Sequence, residues 1–188
     1  IINLLPLPKE KNFSLGLFSS DGRFKRMNLE ELNDISGRAA TILKLKENVS
    51  LKSAMICYPN GHVILMSDIG RILKLDNNSL PLMGKLAQGQ VAMRLLPGEE
   101  VVGAVSCKGS INDNIILCTK KGKILKIDLK MIRKCERGEM GVMSINLKES
   151  KKNKDRVIDI CNGDHLIGLV SKGASSIKAA TKDDVMFP

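Results

Sequence analysis

Thirteen lysines and arginines lie between Lys120 and Arg156 against five acids, so this short stretch carries +8 of the chain's total formal charge of +10. Cations packed that densely repel one another and are stabilised by a polyanion, so the chemistry on offer is neutralisation of an anionic partner such as nucleic acid or a lipid surface rather than bond breaking. The sequence holds no P-loop, no Gly-x-Ser-x-Gly and no Cys–His pair at an informative spacing. No catalytic residue is expected. The paired acids Glu30-Glu31, Glu99-Glu100 and Asp183-Asp184 fall in loop-like segments and are expected to be solvated. His62 and His165 each precede a turn glycine by eight residues, which makes them repeat-equivalent strand starts rather than metal ligands. Neither a metal nor a cofactor is expected. Tyr58, the one tyrosine, sits in a Tyr-Pro-Asn-Gly turn and is assigned no catalytic role. With four Phe and no Trp there are few platforms on which unpaired bases could stack, which argues against single-stranded nucleic acid as the ligand.

These cations must be positioned by four repeated cassettes. Ser20-Asp21-Gly22-Arg23-Phe24, Asp68-Ile69-Gly70-Arg71-Ile72, Lys120-Lys121-Gly122-Lys123-Ile124 and a decayed Ser171-Lys172-Gly173-Ala174-Ser175 each follow an apolar run, at 15–18, 63–66, 115–118 and 166–170. Apolar run, short turn closing on Gly and a second alternating run predict a β-hairpin. The turn glycines are 48, 52 and 51 residues apart. A period near fifty with strand patterning predicts propeller-type blades, because one antiparallel unit cannot bury its own faces and must stack on copies of itself. The expected fold is all-β: an array of four-stranded antiparallel blades, about four repeats of roughly 50 residues. The expected blades are 1–52, 53–103, 104–155 and an incomplete 156–188, within one partial domain over 1–188. Between cassettes, Gly-containing loops lead to further expected strands at 41–45, 91–96 and 142–147. The opening unit is short by about one strand between Pro8 and Ser14, and Ile1 falls in mid-pattern, as if cut from a longer protein.

Period-2 alternation puts Leu73 and Leu75 on one face of the second hairpin and Ile72 and Lys74 on the other; Leu125, Ile127, Ile124 and Lys126 repeat this. Lys25, Lys74 and Lys126 follow their turn glycines by three or four residues, and are expected to share one repeat position that stacking turns into a ring or stripe of charge. The segment 148–156 is a polar insertion, expected as a solvated loop or as a basic finger able to reach phosphates. The five cysteines form no CxxC pair; Cys57 and Cys107 recur at one place in apolar runs and are expected to be reduced core residues in a reducing compartment. No run approaches 18 apolar residues, so no membrane span is expected.

Several segments resemble a known family, the C-terminal domain of the A subunits of DNA gyrase and topoisomerase IV. The resemblance lies in Ile1-Ile2-Asn3-Leu4-Leu5-Pro6-Leu7, in Gln90-Val91-Ala92-Met93-Arg94-Leu95-Leu96-Pro97-Gly98-Glu99-Glu100, and in Gly141-Val142-Met143-Ser144-Ile145-Asn146-Leu147. It covers essentially the whole chain. It implies a β-pinwheel, a propeller-like disc with swapped strands whose basic rim binds and bends duplex DNA. It also implies partners: double-stranded DNA, and the ATPase B subunit together with the rest of the A subunit in a heterotetramer, with no membrane, in the cytoplasm at the nucleoid. The DNA-cleaving tyrosine and the ATPase lie outside such a domain. The gyrase hallmark, Gln-Arg-Arg-Gly-Gly-Lys/Arg-Gly, has a degenerate counterpart here in Cys135-Glu136-Arg137-Gly138-Glu139-Met140-Gly141, which keeps Arg137, Gly138 and Gly141.

The resemblance thus implies a non-catalytic DNA-wrapping domain that presents bent DNA to a cleavage core for ATP-dependent strand passage. A topoisomerase IV-type domain that selects substrates without wrapping, or a propeller scaffold for another protein, remain as alternatives. Expected phosphate contacts are Arg71, Lys74, Arg94, Lys121, Lys123, Lys126, Arg133, Lys134 and Arg137. Such contacts neutralise charge without reading bases.

Overall fold

The first three cassettes fold as strand, turn and strand. In this computed structural model, which describes residues 4–10, 12–33, 39–110, 113–147, 154–163 and the backbone of 178–179, three hairpins are formed. They are β1 (Ser14–Ser19) with β2 (Arg23–Asn28), β4 (His62–Ser67) with β5 (Arg71–Asp76), and β8 (Asn114–Thr119) with β9 (Lys123–Asp128). The fourth cassette lies outside the described residues. On one side each hairpin is extended by a later strand that precedes the next hairpin: β3 (Leu51–Cys57), β7 (Val101–Cys107) and β11 (Val157–Asn162), the last of these ahead of the fourth cassette, all antiparallel and each with a register shift near the hairpin turn. Such bulges increase local twist, and here they recur with the repeat.

On its other side each sheet receives a strand from farther along the chain. Sheet A, in the order β3-β1-β2-β6, takes β6 (Gln90–Val91) from beyond the second hairpin. Sheet B, β7-β4-β5-β10, takes β10 (Val142–Met143) from beyond the third, and sheet C, β11-β8-β9-β12, takes β12 (Lys178–Ala179). The fold is therefore an all-β, strand-swapped array. The strands expected at 91–96 and 142–147 shrink to these two-residue pairings, and 41–45 forms no strand. That segment nonetheless packs as its counterparts do: Ile42 and Leu43 cover Leu15, Leu17 and Met27 of sheet A.

The alternation expected along β5 is realised literally. Leu73 and Leu75, with Val63 and Leu65, enter the core between sheets A and B. Ile72, with Ile64 and Met66, enters the core between B and C. Sheet B thus buries both faces, each aliphatic side chain contributing about 1.5–3 kcal/mol. The cysteines are free thiols, and burial pushes Cys57 up to about 12 and Cys118 up to about 11, so both act as small apolar groups.

Two local devices repeat. Each hairpin runs out through an Asx cap into a 3-10 turn: the side chains of Asn28, Asp76 and Asp128 accept from the amides of Glu30, Asn78 and Lys130. A glycine in the left-handed region precedes two of the swapped strands, Gly89 before β6 and Gly141 before β10. A Cβ on Gly141 would stand 2.4 Å from the Ile72 carbonyl oxygen, whereas one on Gly138, also left-handed, would meet nothing within 4 Å. Sheet B also carries a buried ion pair of its own. Arg71, just after the turn, donates through Nε to Glu99 at 2.9 Å and through Nη2 to both Glu99 and the Arg94 carbonyl, the latter at 3.2 Å. Glu99 also accepts from the Leu96 amide at 2.7 Å. This corrects the expectation that Glu99 is solvated: it is 7% exposed. Burial alone would raise its carboxyl, but hydrogen bonds from Arg71, Leu96 and Ser67 more than offset this and hold it below the usual range.

Two outcomes are expected in chemical denaturation. Arg71→Met strands a buried carboxylate and should cost about 3–5 kcal/mol, while adding Glu99→Leu should recover most of that loss. Because the folded pKa of Glu99 is depressed, its stabilisation is complete above the ordinary glutamate value of about 4.3 and is lost as pH falls through the lower folded value. The double variant should therefore show a shallower acid limb of stability against pH. Gly141→Ala should destabilise by roughly 2 kcal/mol or more, from strain plus the carbonyl clash, and Gly138→Ala by about 1 kcal/mol from strain alone; equal losses would contradict this geometry.

Candidate nucleic-acid interface

The three sheets converge along one edge, where β7 packs against both β3 and β11. The swapped strands β6 and β10 therefore run along the opposite, outer edge. Residues 134–141, which lead into β10, lie on that outer edge and bridge two sheets. The Cys135 amide donates to the Lys74 carbonyl of β5 at 2.8 Å, and the Gly138 amide donates to Ala92 beyond β6 at 2.8 Å. The Arg94 amide donates to the Glu139 carbonyl at 2.9 Å. The equivalent loop between sheets A and B places the Met83 amide on the Arg26 carbonyl at 2.7 Å.

This bridging loop gathers three arginines. Arg137 is exposed and gives one guanidinium N–H to the neutral side chain of Gln90. Arg133, also exposed, pairs with Glu139 at 2.6 Å, and the other oxygen of Glu139 accepts from the Glu136 amide at 2.6 Å. The Arg133 guanidinium and that amide hold the Glu139 carboxyl below its ordinary range. Arg94 stands exposed beside them on the segment that Glu139 contacts. Lys134 is exposed and pairs with Asp76 at 2.7 Å. Exposed pairs of this kind contribute about 0–1 kcal/mol, so a phosphate can displace the carboxylate at small cost.

On sheet C, Lys126 of β9 is exposed and Lys123 half-buried, and Lys121 is exposed in the β8–β9 turn. The Lys121 amide is held by Asp155 at 3.0 Å, and Arg156 ties the same region to sheet B through Asp68 at 3.1 Å. In the 148–156 insertion, residues 148–153 lie outside the described residues; of the rest, Lys154 is exposed and Asp155 buried.

Two of the expected phosphate contacts face inward. Arg71 is buried against Glu99, and Lys74 is half-buried with Nζ donating to the Leu129 carbonyl at 3.0 Å. The expected ring of Lys25, Lys74 and Lys126 does not form either. Hairpin register opposes Lys25 to Leu17, Leu73 to Leu65 and Leu125 to Leu117, so Lys25 occupies the place of the core leucines. It is 0% exposed, and its ammonium donates to the carbonyls of Ile42 at 2.5 Å and Lys85 at 2.6 Å. The repeat partner of Lys74 and Lys126 is Arg26, confirmed by parallel bridges of Arg26 to Leu82 and of Lys74 to Lys134. Sequence reasoning missed Arg26, Gln90 and Glu139. Counting four residues from each turn glycine, rather than three or four, would have found Arg26.

Comparison with known proteins agrees with this architecture. The chain is 27% identical over 187 residues to the A subunit of DNA topoisomerase 4 from Synechocystis sp. (strain PCC 6803), covering 94% of this chain and 19% of that protein. It is 25% identical over 183 residues to the A subunit of DNA gyrase from Ureaplasma parvum serovar 3, covering 97% of this chain and 21% of that one. The chain thus spans about a fifth of the length of these relatives. The solved C-terminal domain of a DNA topoisomerase IV superposes with a TM-score of 0.75 at 22% identity, over 86% of this chain and 50% of that one, which shows a shared fold. Three successive segments, 17–57, 61–108 and 113–160, match the sequence profile described as DNA gyrase C-terminal domain, beta-propeller. They coincide with the hairpins and inner strands of sheets A, B and C, and the chain belongs to that family.

Proposed function

We propose that this chain is a non-catalytic domain that binds and bends duplex DNA along the outer edge of its sheets, within the A subunit of a bacterial type IIA topoisomerase. The observation that carries the proposal is the gathering of exposed Arg94, Arg133 and Arg137 where the 134–141 loop bridges sheets A and B. Lys134, Lys121, Lys123 and Lys126 continue the cationic edge. Arg71 and Lys74 are left out of the contact set because their cations point into the protein. A curved edge of this kind meets phosphates without reading bases, so affinity follows charge and the ease of bending the duplex. In the whole enzyme, an ATP-dependent isomerase acting on DNA in the cytoplasm, the bent segment would be handed to the cleavage core of the A subunit. The ATPase B subunit would then drive strand passage.

The names of the relatives, the A subunits of gyrase and topoisomerase 4, support this placement. A second reading, binding without wrapping, is favoured by the chemistry of the 135–141 loop. Glu136 and Glu139 stand where the gyrase hallmark has Arg and Gly, and Glu139 already neutralises Arg133. Relaxation of a nicked circle followed by ligation separates the two readings: constrained writhe means wrapping, and none means binding alone.

Binding to mixed-sequence duplex should fall with salt at a log–log slope of roughly −5 if about six phosphates are neutralised. Arg94→Ala and Arg137→Ala should each reduce that slope by about one and weaken all sequences alike. An unchanged gel shift for Arg94→Glu, Lys126→Glu and Arg137→Glu combined would retire the outer-edge reading.

A further inference from the structure

The position four residues beyond each turn glycine holds a cation in all three hairpins: Arg26, Lys74 and Lys126. In the first two the side chain does the same thing. Arg26 Nη1 donates to the Asn77 carbonyl, and Lys74 Nζ donates to the Leu129 carbonyl at 3.0 Å. Asn77 and Leu129 are themselves equivalent. Each opens the 3-10 turn of the next sheet, directly after the Asx cap, and each donates its own amide to a carbonyl at the matching place, Gly61 at 2.9 Å and Asp113 at 3.0 Å. The backbone carbonyl of each cation is held in turn by the bridging loop, through Met83 on Arg26 and Cys135 on Lys74. One residue therefore joins its own strand, the swapped-strand loop and the next sheet. Neither cation has a carboxylate partner within the described residues, and burial lowers the pKa of both, as expected of charges half-withdrawn from water.

We propose that Arg26 and Lys74 are latches that fix the angle between successive sheets, and hence the curvature of the array. The sheets already touch at their inner edge through β3, β7 and β11. A second attachment, made from β2 or β5 near the outer edge, turns a hinge into a fixed angle. Sheets A and B are joined by Arg26, and B and C by Lys74. Lys126, at the same repeat position on sheet C, is exposed, and among the described residues no further sheet presents a 3-10 turn to it. It is the natural control. The latch deepens the DNA-bending reading and rests on it only for its functional consequence, since the contact itself is read without DNA.

The test compares Lys74→Met, which keeps the stem and removes the donor, with Lys74→Arg, which copies the residue used at position 26, and with Lys126→Met. Without DNA, Lys74→Met should speed hydrogen exchange at least tenfold at the 129–132 turn while leaving the core amides of β4 and β8 unchanged. Lys74→Arg should restore protection, and Lys126→Met should have no effect. With an end-labelled duplex, Lys74→Met should keep the salt slope of the parent while end-to-end energy transfer in the complex falls toward that of free DNA. Lys126→Met should do the reverse, losing about one unit of slope and keeping the transfer. If Lys74→Met does not fold, Lys74→Gln, with a shorter donor, enters the same comparison. The latch is overturned if exchange and transfer in Lys74→Met match the parent, if exchange rises everywhere alike, or if the slope drops by one with the bend intact. If the parent binds no duplex, the outer-edge reading fails while the exchange comparison still decides the latch.

Discussion

No sheet in this chain can satisfy itself. Each hairpin sends apolar side chains to both of its faces, so a lone blade would leave two apolar faces in water, and an isolated two-stranded hairpin is marginal in any case. The one arrangement that buries Ile72 and Leu73 together is a neighbour on each side, and sheet B has them. Stacking is the constraint from which the rest follows: an inner edge where β3, β7 and β11 meet, and an outer edge completed by strands borrowed from farther along the chain.

Borrowing strands has consequences for charge. The residues that deliver β6 and β10 must cross from one sheet to the next, and the crossing segments carry Arg94 and Arg137 with them. Glycines at 89 and 141 let the backbone run against β2 and β5, where a Cβ would strike the carbonyls of Phe24 and Ile72. The loop that presents the arginines is therefore held by main-chain bonds on both sides, and the cations sit at a seam rather than on one blade. A rigid seam suits a ligand whose charges are fixed in space, because fewer side chains must be ordered on binding.

The same positive charge serves two purposes that only geometry separates. Lys25, Arg26, Arg71 and Lys74 work inside the molecule, on main-chain carbonyls or on Glu99. Arg94, Lys126 and Arg137 face water. A buried cation bonded to carbonyls confers rigidity, whereas an exposed one in a weak pair is available for exchange. Counting basic residues overstates the binding surface and understates what holds it in shape.

The hairpins, their spacing and the two-faced burial of β5 were legible in the sequence, because a period of two and a recurring Gly turn are local properties of the chain. The Asx caps were there to be read as well, at 28, 76 and 128. Only the folded molecule decided which sheet each swapped strand joins, since a two-residue pairing such as Gln90–Val91 leaves no hydrophobic period of its own. It also decided that Lys25 takes the place of a core leucine. The turn glycine is one residue closer to Lys25 than to Lys74, and hairpin register, which one residue's slip inverts, assigns side chains to faces. Whether a lysine or arginine binds phosphate or staples two sheets depends on the carbonyl that stands opposite, and that neighbour comes from a segment some fifty residues away.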